Sequence, residues 1–227
     1  MIPGLNVSKK NEHGEDSPLV DSRGFGSSGL VVESTIWLEF QQGSDAALAK
    51  LFELYSNKLY AYGRQFTRDK GLVQDAVQDV FLNLIQRRTE IGAASSVKFY
   101  LYACFRRSMI RLLKKHRQLN FMSEYAREDG FQISVDPELV QIHTRFTIDE
   151  KKLLENACNR LPAKQREIIL LHYFEGLSYG EIAEIMGLSH VKSARNHLYK
   201  AINRLAELLG QYKDVLQLLY FLPILMC

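Results

Sequence analysis

Residues 161–209 constrain this chain most, because capping chemistry, a glycine turn and a long apolar stripe follow one another there without a break. Ser178 and Glu181 make an S-x-x-E capping box: the serine side chain takes the amide three residues on, and the glutamate reaches back to the cap amide. A short helix follows, with Ile182, Ala183, Ile185 and Met186 on its inner side. Ala183 is small enough to let a second helix cross closely. Gly187 supplies the turn, and Ser189 is a natural cap for what comes next. Val191, Ala194, Leu198, Ala201, Leu205 and Leu208 then alternate spacings of three and four, which is one buried stripe of a single helix. Lys192, Arg195, Asn196 and Tyr199 fall on the opposite face, with His197 and Lys200 on its flank. This is the order of a helix-turn-helix. Such units set the N-terminal part of the second helix into the DNA major groove, where Arg, Asn and Lys read base edges. A helical hairpin with a solvated polar face is the plainer reading of the second helix alone. Box, turn and stripe together outweigh it.

Charge distribution says more than net charge. The 227 residues carry a formal charge of only +3, which announces no polyanion partner. Between Ile91 and Ser123, however, there is no acidic residue, while Lys98, Arg106, Arg107, Arg111, Lys114, Lys115 and Arg117 are all basic. A local field of this kind suits phosphate contact. The three cysteines, Cys104, Cys158 and Cys227, are far apart and form no Cys/His cluster. Neither a zinc site nor a disulfide framework is expected, and reduced thiols in the cytosol are the simpler reading. No apolar secretory segment opens the chain, and the C-terminal apolar run, interrupted by Pro223, is too short to span a bilayer.

The expected organisation is all-α: two small helical domains joined by a flexible linker, the second containing the helix-turn-helix. Residues 1–34, rich in Gly, Ser and charge, read as a disordered extension. Residues 35–117 form the first domain. Its helices run over about 46–67, with Leu48, Leu51, Phe52, Tyr55, Leu59, Tyr62 and Phe66 on the apolar face, and about 72–87, with Val73, Ala76, Val77, Val80, Phe81, Leu84 and Ile85 inward. After a loop of small residues at 92–96, a third helix spans about 97–116. Residues 118–147, with Gly130 and Pro137, read as the linker, which can extend to roughly 100 Å at ~3.3 Å per residue. The second domain covers residues 148–210 and opens with a helix carrying Leu153, Leu154, Ala157 and Leu161. Another helix begins at Pro162 and ends at Gly176. Residues 211–227 are an apolar tail, expected either to complete the second core or to dock on a partner or on the first domain.

On the third helix, Leu101, Phe105, Met109 and Leu112 make the buried stripe, and Tyr100, Arg107, Arg111 and Lys114 turn roughly opposite. An aromatic in line with three cations suits a nucleic-acid strand, the cations holding phosphates and the ring stacking a base. The plainer alternative is a solvated basic face with Tyr100 packed on a neighbour.

The whole order resembles an extracytoplasmic-function (ECF) sigma factor, in the sigma-70 family of bacterial RNA polymerase initiation factors. Four stretches carry the resemblance: Gly43-Ser44-Asp45-Ala46-Ala47-Leu48 with Leu51 and Tyr55; Asp75-Ala76-Val77-Gln78-Asp79-Val80-Phe81; Val97-Lys98-Phe99-Tyr100-Leu101-Tyr102 running into Arg106; and Leu161-Pro162 with Arg166, Phe174, Gly176-Leu177-Ser178 and Glu181-Ile182-Ala183. Together they span about Thr35 to Leu209. The resemblance implies a factor that binds core RNA polymerase, recognises the −35 and −10 promoter elements and helps melt the DNA. It implies core binding by Asp75, Gln78 and Asp79, and −10 contact and melting by Tyr100, Arg106, Arg107, Arg111 and Lys114. Recognition of the −35 element would fall to Lys192, Arg195, Asn196, His197, Tyr199 and Lys200, and an anti-sigma factor is an expected partner. Two departures stand out. Family members commonly carry Asn where Arg107 stands and often Asp or Asn where Arg111 stands, and the stretch from Gly187 to Ala201 is one residue longer than usual, as though His190 were inserted.

No nucleophile–base pair, metal cluster or phosphate loop is visible and the six histidines are scattered, so no enzyme, cofactor, metal or small-molecule substrate is expected. Two other readings remain at this point: a helix-turn-helix regulator that never joins polymerase, and an interaction module that has lost DNA binding. The separate acidic-polar patch at Asp75, Gln78 and Asp79 weighs against the first.

Overall fold

The computed structural model describes residues 26–92, 96–119, 132 and 148–210. The expectations for residues 1–25, for the centre of the 92–96 loop, for nearly all of the linker and for the 211–227 tail lie outside these residues. Among the described residues every regular element is helical, as the periodicity requires.

The first domain contains α1 (Gly26–Gln41), α2 (Asp45–Arg64), α3 (Lys70–Gln86) and α4 (Val97–Leu119). Ser44 caps α2 by accepting from the Ala47 amide, and Asp69 caps α3 by accepting from the amides of Gly71 and Leu72. These side chains satisfy amides that the first helical turn leaves without partners. Helix α1 begins nine residues before the expected boundary at Thr35. Its buried anchors are Ile36, Trp37 and Phe40. Once such a turn is nucleated, propagation backward adds one hydrogen bond per residue fixed. Composition reads the Gly- and Ser-rich start as irregular because it weighs propensity without that anchor.

Helices α2, α3 and α4 close around Leu51, Tyr55, Leu59, Val73, Val80, Leu101, Phe105 and Met109, all buried. Gly63 permits their closest approach. A Cβ there would lie 2.5 Å from Val73 Cγ1 and 2.7 Å from Phe105 Cζ, well inside van der Waals contact. Two expected apolar-face positions turn outward: Phe52 is 49% exposed and Ile85 47%.

The second domain contains α5 (Ile148–Asn159), α6 (Ala163–Ile169), α7 (Tyr179–Met186) and α8 (Val191–Leu208). The helix expected from Pro162 to Gly176 is not uniform, because α6 widens into a π-helical turn at Leu170–Phe174. Arg166 is buried here, and its Nη1 donates to the carbonyls of Asn159 (2.7 Å) and Leu161 (2.8 Å). It thereby closes the C-terminal end of α5, whose last carbonyls have no intrahelical donor.

The capping box forms as its spacing demands, with the Glu181 amide on Ser178 Oγ at 3.3 Å and the Ser178 amide on Glu181 Oε2 at 2.8 Å. Gly187 takes φ +64°, and the Leu188 amide reaches back to the Ala183 carbonyl at 2.8 Å. That is a Schellman closure, which needs a left-handed residue and so favours glycine. Ala194, Leu198, Ala201 and Leu205 are buried, whereas Val191 is 48% exposed on the first turn of α8. The cap of α8 is His190 and not Ser189, and no side-chain bond closes it. Ser189 stands one position before that cap, too far back for its side chain to serve.

Candidate nucleic-acid interface

Three surfaces and one internal junction hold the side chains singled out by sequence. The first surface is the outer face of α8. Lys192, Arg195, Asn196, Tyr199 and Lys200 are exposed and His197 is half-buried, while the stripe from Ala194 to Leu205 seats the helix on α6 and α7. The cross-packing of α7 and α8 therefore presents a run of donors outward. Arg195 is held against this frame: its guanidinium carbon lies 5.3 Å from the centroid of the Tyr179 ring. The Tyr179 ring in turn stacks on His172, with centroids 4.7 Å apart and planes at 21°. Burial pushes the Tyr179 hydroxyl above its ordinary range, with Tyr199 adding to the shift and Arg195 opposing it.

The second surface lies on α4. Arg107, Arg111, Lys114 and Lys115 line an open cleft of about 500 Å³ together with Ile110. These residues project together because intervals of three and four return to one face of a helix. Tyr100 is not among them. Its ring packs at 5.5 Å from that of Trp37 on α1, and burial next to Cys104 moves its hydroxyl far above the usual phenol range. The reading in which Tyr100 packs on a neighbour matches this geometry.

The third surface runs along α2 and α3. Asp75 and Gln78 are exposed, but Asp79 is drawn inward. Its Oδ2 accepts from Arg111 Nη2 at 2.8 Å and from Ser108 Oγ at 3.0 Å. A carboxylate expected on one surface and a guanidinium expected on another are thus one ion pair tying α3 to α4. Beside Gln78 opens an apolar groove of about 510 Å³, lined by Leu48, Phe52, Phe81, Leu82 and Ile85. Phe52, Leu82 and Ile85 stay substantially exposed, and the Phe52 and Phe81 rings lie 4.9 Å apart.

Arg106 belongs to none of these surfaces. It turns away from its neighbour Arg107 and into the contact between the domains. There Nε and Nη2 donate to the two oxygens of Glu167, at 2.7 and 3.2 Å. The Tyr62 hydroxyl donates to the same carboxylate at 2.6 Å, and Arg106 Nη1 lies 3.4 Å from the Ile185 carbonyl. The Glu167 side chain is 5% exposed, so the pair is buried. Burial and the Glu167 charge push the Tyr62 hydroxyl well up. A second tie lies nearby, from Lys98 Nζ to the Glu175 carbonyl at 3.0 Å. Loss of water holds the Glu175 carboxyl above its ordinary range, against the opposing pull of Tyr102, Lys98 and Lys58.

Sequence reasoning missed Glu167, Tyr62, Tyr179 and His172. Glu167 closes the polar run Lys164-Gln165-Arg166, which in sequence reads as an ordinary solvated helix face and shows a paired carboxylate only once the partner is known. The Tyr179–Arg195 contact joins residues on different helices, which no single-helix pattern displays. Among the described residues no group of His, Cys, Asp and Glu is placed to hold a metal ion, and no helix is long and apolar enough to cross a membrane.

Comparison with known proteins agrees with this two-part layout. Residues 51–118 match the family model for sigma-70 region 2, and residues 151–205 that for sigma-70 region 4. The chain is 26% identical over 159 residues to the ECF RNA polymerase sigma factor SigM of Bacillus subtilis, covering 70% of this chain and 93% of that protein. It is 24% identical over 167 residues to the ECF RNA polymerase sigma factor SigK of a Mycobacterium species, covering 72% and 83%. Among solved structures, the sigma factor RpoE of Bartonella quintana, in complex with the anti-sigma factor NepR, superposes with a TM-score of 0.54. Identity there is 23%, over 71% of this chain and 96% of that one.

Proposed function

The chain belongs to the ECF group of the sigma-70 family, RNA polymerase initiation factors, and from that premise we propose how its surfaces divide the work. Helix α8 reads the −35 element, with Arg195 and Asn196 on base edges and Lys192 and Lys200 on phosphates. The cationic cleft of α4 takes the separated strand near the −10 element. Arg107 strengthens its hold on phosphate in place of the shorter polar residue common in the family, while Arg111 lines the same cleft with one guanidinium nitrogen engaged by Asp79. Asp75 and Gln78, with the apolar groove beside them, meet core polymerase, since a groove of exposed Phe52, Leu82 and Ile85 offers area that water disfavours. RNA synthesis is the work of core polymerase, and the chain supplies recognition and melting without catalysis of its own. It acts where the promoter and polymerase are, in the cytoplasm. An anti-sigma partner forms part of this reading, supported by the likeness to a sigma factor solved with one. A regulator that works apart from polymerase is not favoured, because it has no use for the region-2 domain.

The observation that carries the reading is the outer face of α8, where five polar side chains of base- and phosphate-binding type stand exposed on a helix seated by its apolar stripe. The test is selection from a promoter library randomised at the −35 element, using holoenzyme reconstituted from the full chain and core polymerase. Arg195→Ala changes the selected motif at one position, because a bidentate base contact contributes about 1–3 kcal/mol of discrimination. Lys200→Ala weakens all sequences alike. An unchanged motif with Arg195→Ala refutes base reading by α8.

A further inference from the structure

We propose that Tyr179 is a positioning residue for promoter recognition: its ring is the platform that orients the Arg195 guanidinium toward the base it reads. The inference rests on the assignment of α8 to the −35 element and adds a residue of α7 to it.

An arginine reads a base by presenting two parallel N–H donors in one plane, which serves only if the guanidinium is held in that plane. Arg195 is exposed, and its long side chain samples many rotamers in water, so ordering it on binding opposes recognition. The geometry supplies a restraint before DNA arrives. The guanidinium carbon of Arg195 stands over the Tyr179 ring at 5.3 Å, within the range of a cation–π contact.

The platform is itself fixed from two sides. Tyr179 is the first residue of α7, and its backbone follows directly on the Ser178–Glu181 capping box. Its ring stacks on His172 at 4.7 Å, and His172 Nδ1 lies 2.9 Å from the Leu177 carbonyl, which holds the imidazole plane. His172 lies within the π-helical turn that follows α6. Three successive pieces of the second domain thus set one cation: the turn after α6 holds the histidine, the histidine holds the tyrosine, and the tyrosine holds Arg195. The tyrosine hydroxyl makes no part of this chain of contacts. The aromatic ring does, so phenylalanine replaces it and an aliphatic side chain does not.

The experiment is the same −35 library selection with holoenzyme containing the full chain, comparing Tyr179→Leu, Tyr179→Phe, Arg195→Ala and the Tyr179→Leu/Arg195→Ala double variant. Tyr179→Leu is expected to lower discrimination roughly two- to five-fold, the equivalent of ~0.5–1 kcal/mol at ~1.4 kcal/mol per tenfold, at the position that Arg195→Ala alters. Binding to unrelated duplex DNA and its salt dependence should stay as in the unsubstituted chain, because no phosphate contact is removed. Tyr179→Phe should restore the preference, and the double variant should be no worse than Arg195→Ala alone. Retention of the original motif by Tyr179→Leu, a loss at other positions, or additive losses in the double variant overturns the proposal. If Arg195→Ala itself leaves the motif unchanged, the assignment of α8 has failed instead. Should Tyr179→Leu lose its fold by circular dichroism, Tyr179→Met, which is unbranched and adaptable, stands in with the same outcomes.

Discussion

Replacing Glu167 by alanine should part the two domains without unfolding either. In the closed arrangement this carboxylate accepts two bonds from Arg106 and one from Tyr62, with only 5% of its side chain exposed. Removing it while the domains stay together leaves Arg106 as a lone charge, 17% exposed, at a cost of about 3–5 kcal/mol. The Tyr62 hydroxyl, stripped of its acceptor, adds about 1–3 kcal/mol. Against that stands a cheaper route. The two groups come from α2 and α4, and the carboxylate from α6, so separation returns both donors to water and loses only the area between domains. Intrachain domain contacts of this kind are small enough to open. The variant therefore settles into the open form whenever docking is worth less than the ~4–8 kcal/mol that closure would then cost.

Fluorophores at two exposed sites, Glu53 on α2 and Asn203 on α8, report the change as a drop in energy transfer, with helical content by circular dichroism retained. Adding Arg106→Met removes the stranded charge and fills the space with a flexible apolar chain, so the double variant should close again. Unchanged transfer in Glu167→Ala, with an unfolding free energy from urea titration lowered by several kcal/mol, would show that the closed form absorbs the lone charge, and the reasoning would be wrong. The outcome bears on promoter engagement. Sites some twenty base pairs apart lie about 68 Å from each other at ~3.4 Å per pair, so freedom of the two domains to separate bears directly on whether both engage together.

Gly63→Ala should destabilise the first domain by about 1–3 kcal/mol, because the new Cβ lies 2.5 Å from Val73 and 2.7 Å from Phe105; a thermal midpoint within a degree of the unsubstituted chain would contradict the packing described. Glu175→Gln leaves the backbone carbonyl bonded by Lys98 in place and tests the buried Glu175 carboxyl through pH. A carboxyl held above its unfolded range by burial contributes its stability in the protonated state. That contribution is lost as pH rises from the ordinary carboxylate range through the raised folded value. The glutamine variant should therefore gain stability over the unsubstituted chain at neutral pH and lose that advantage in acid. Urea midpoints across that range check the sign, and a pH-independent difference would refute it. Asp75→Lys, on the exposed part of α3, should weaken capture of core polymerase with the fold intact. Asp79→Lys should in addition loosen α3 from α4, since it breaks the bonds to Arg111 and Ser108, and equal thermal midpoints for the two variants would count against that distinction.

What the sequence determined by itself was most of what neighbours within one or two helical turns govern, the cap of α8 and the π-helical turn after α6 excepted. Ser178 with Glu181, Gly187 and the stripe from Ala194 to Leu205 specify α7, its end and the seating of α8. They do so because capping, left-handed closure and helical period act over four to seven residues. Most of the inward faces of α2 and α3 was legible for the same reason, with Phe52 and Ile85 the exposed exceptions. What only the tertiary structure decided was the use of each polar side chain. Arg106 and Arg107 are consecutive and chemically alike, yet one step around a helix turns them about 100° apart. Glu167, sixty-one residues further on, claims the first and leaves the second to solvent. Trp37 takes Tyr100 out of the cationic row, and Arg111 takes Asp79 from the exposed face of α3. Tyr179 settles where Arg195 points. Such pairings join residues distant in sequence, and their energies depend on the burial that folding creates, so no local pattern encodes them.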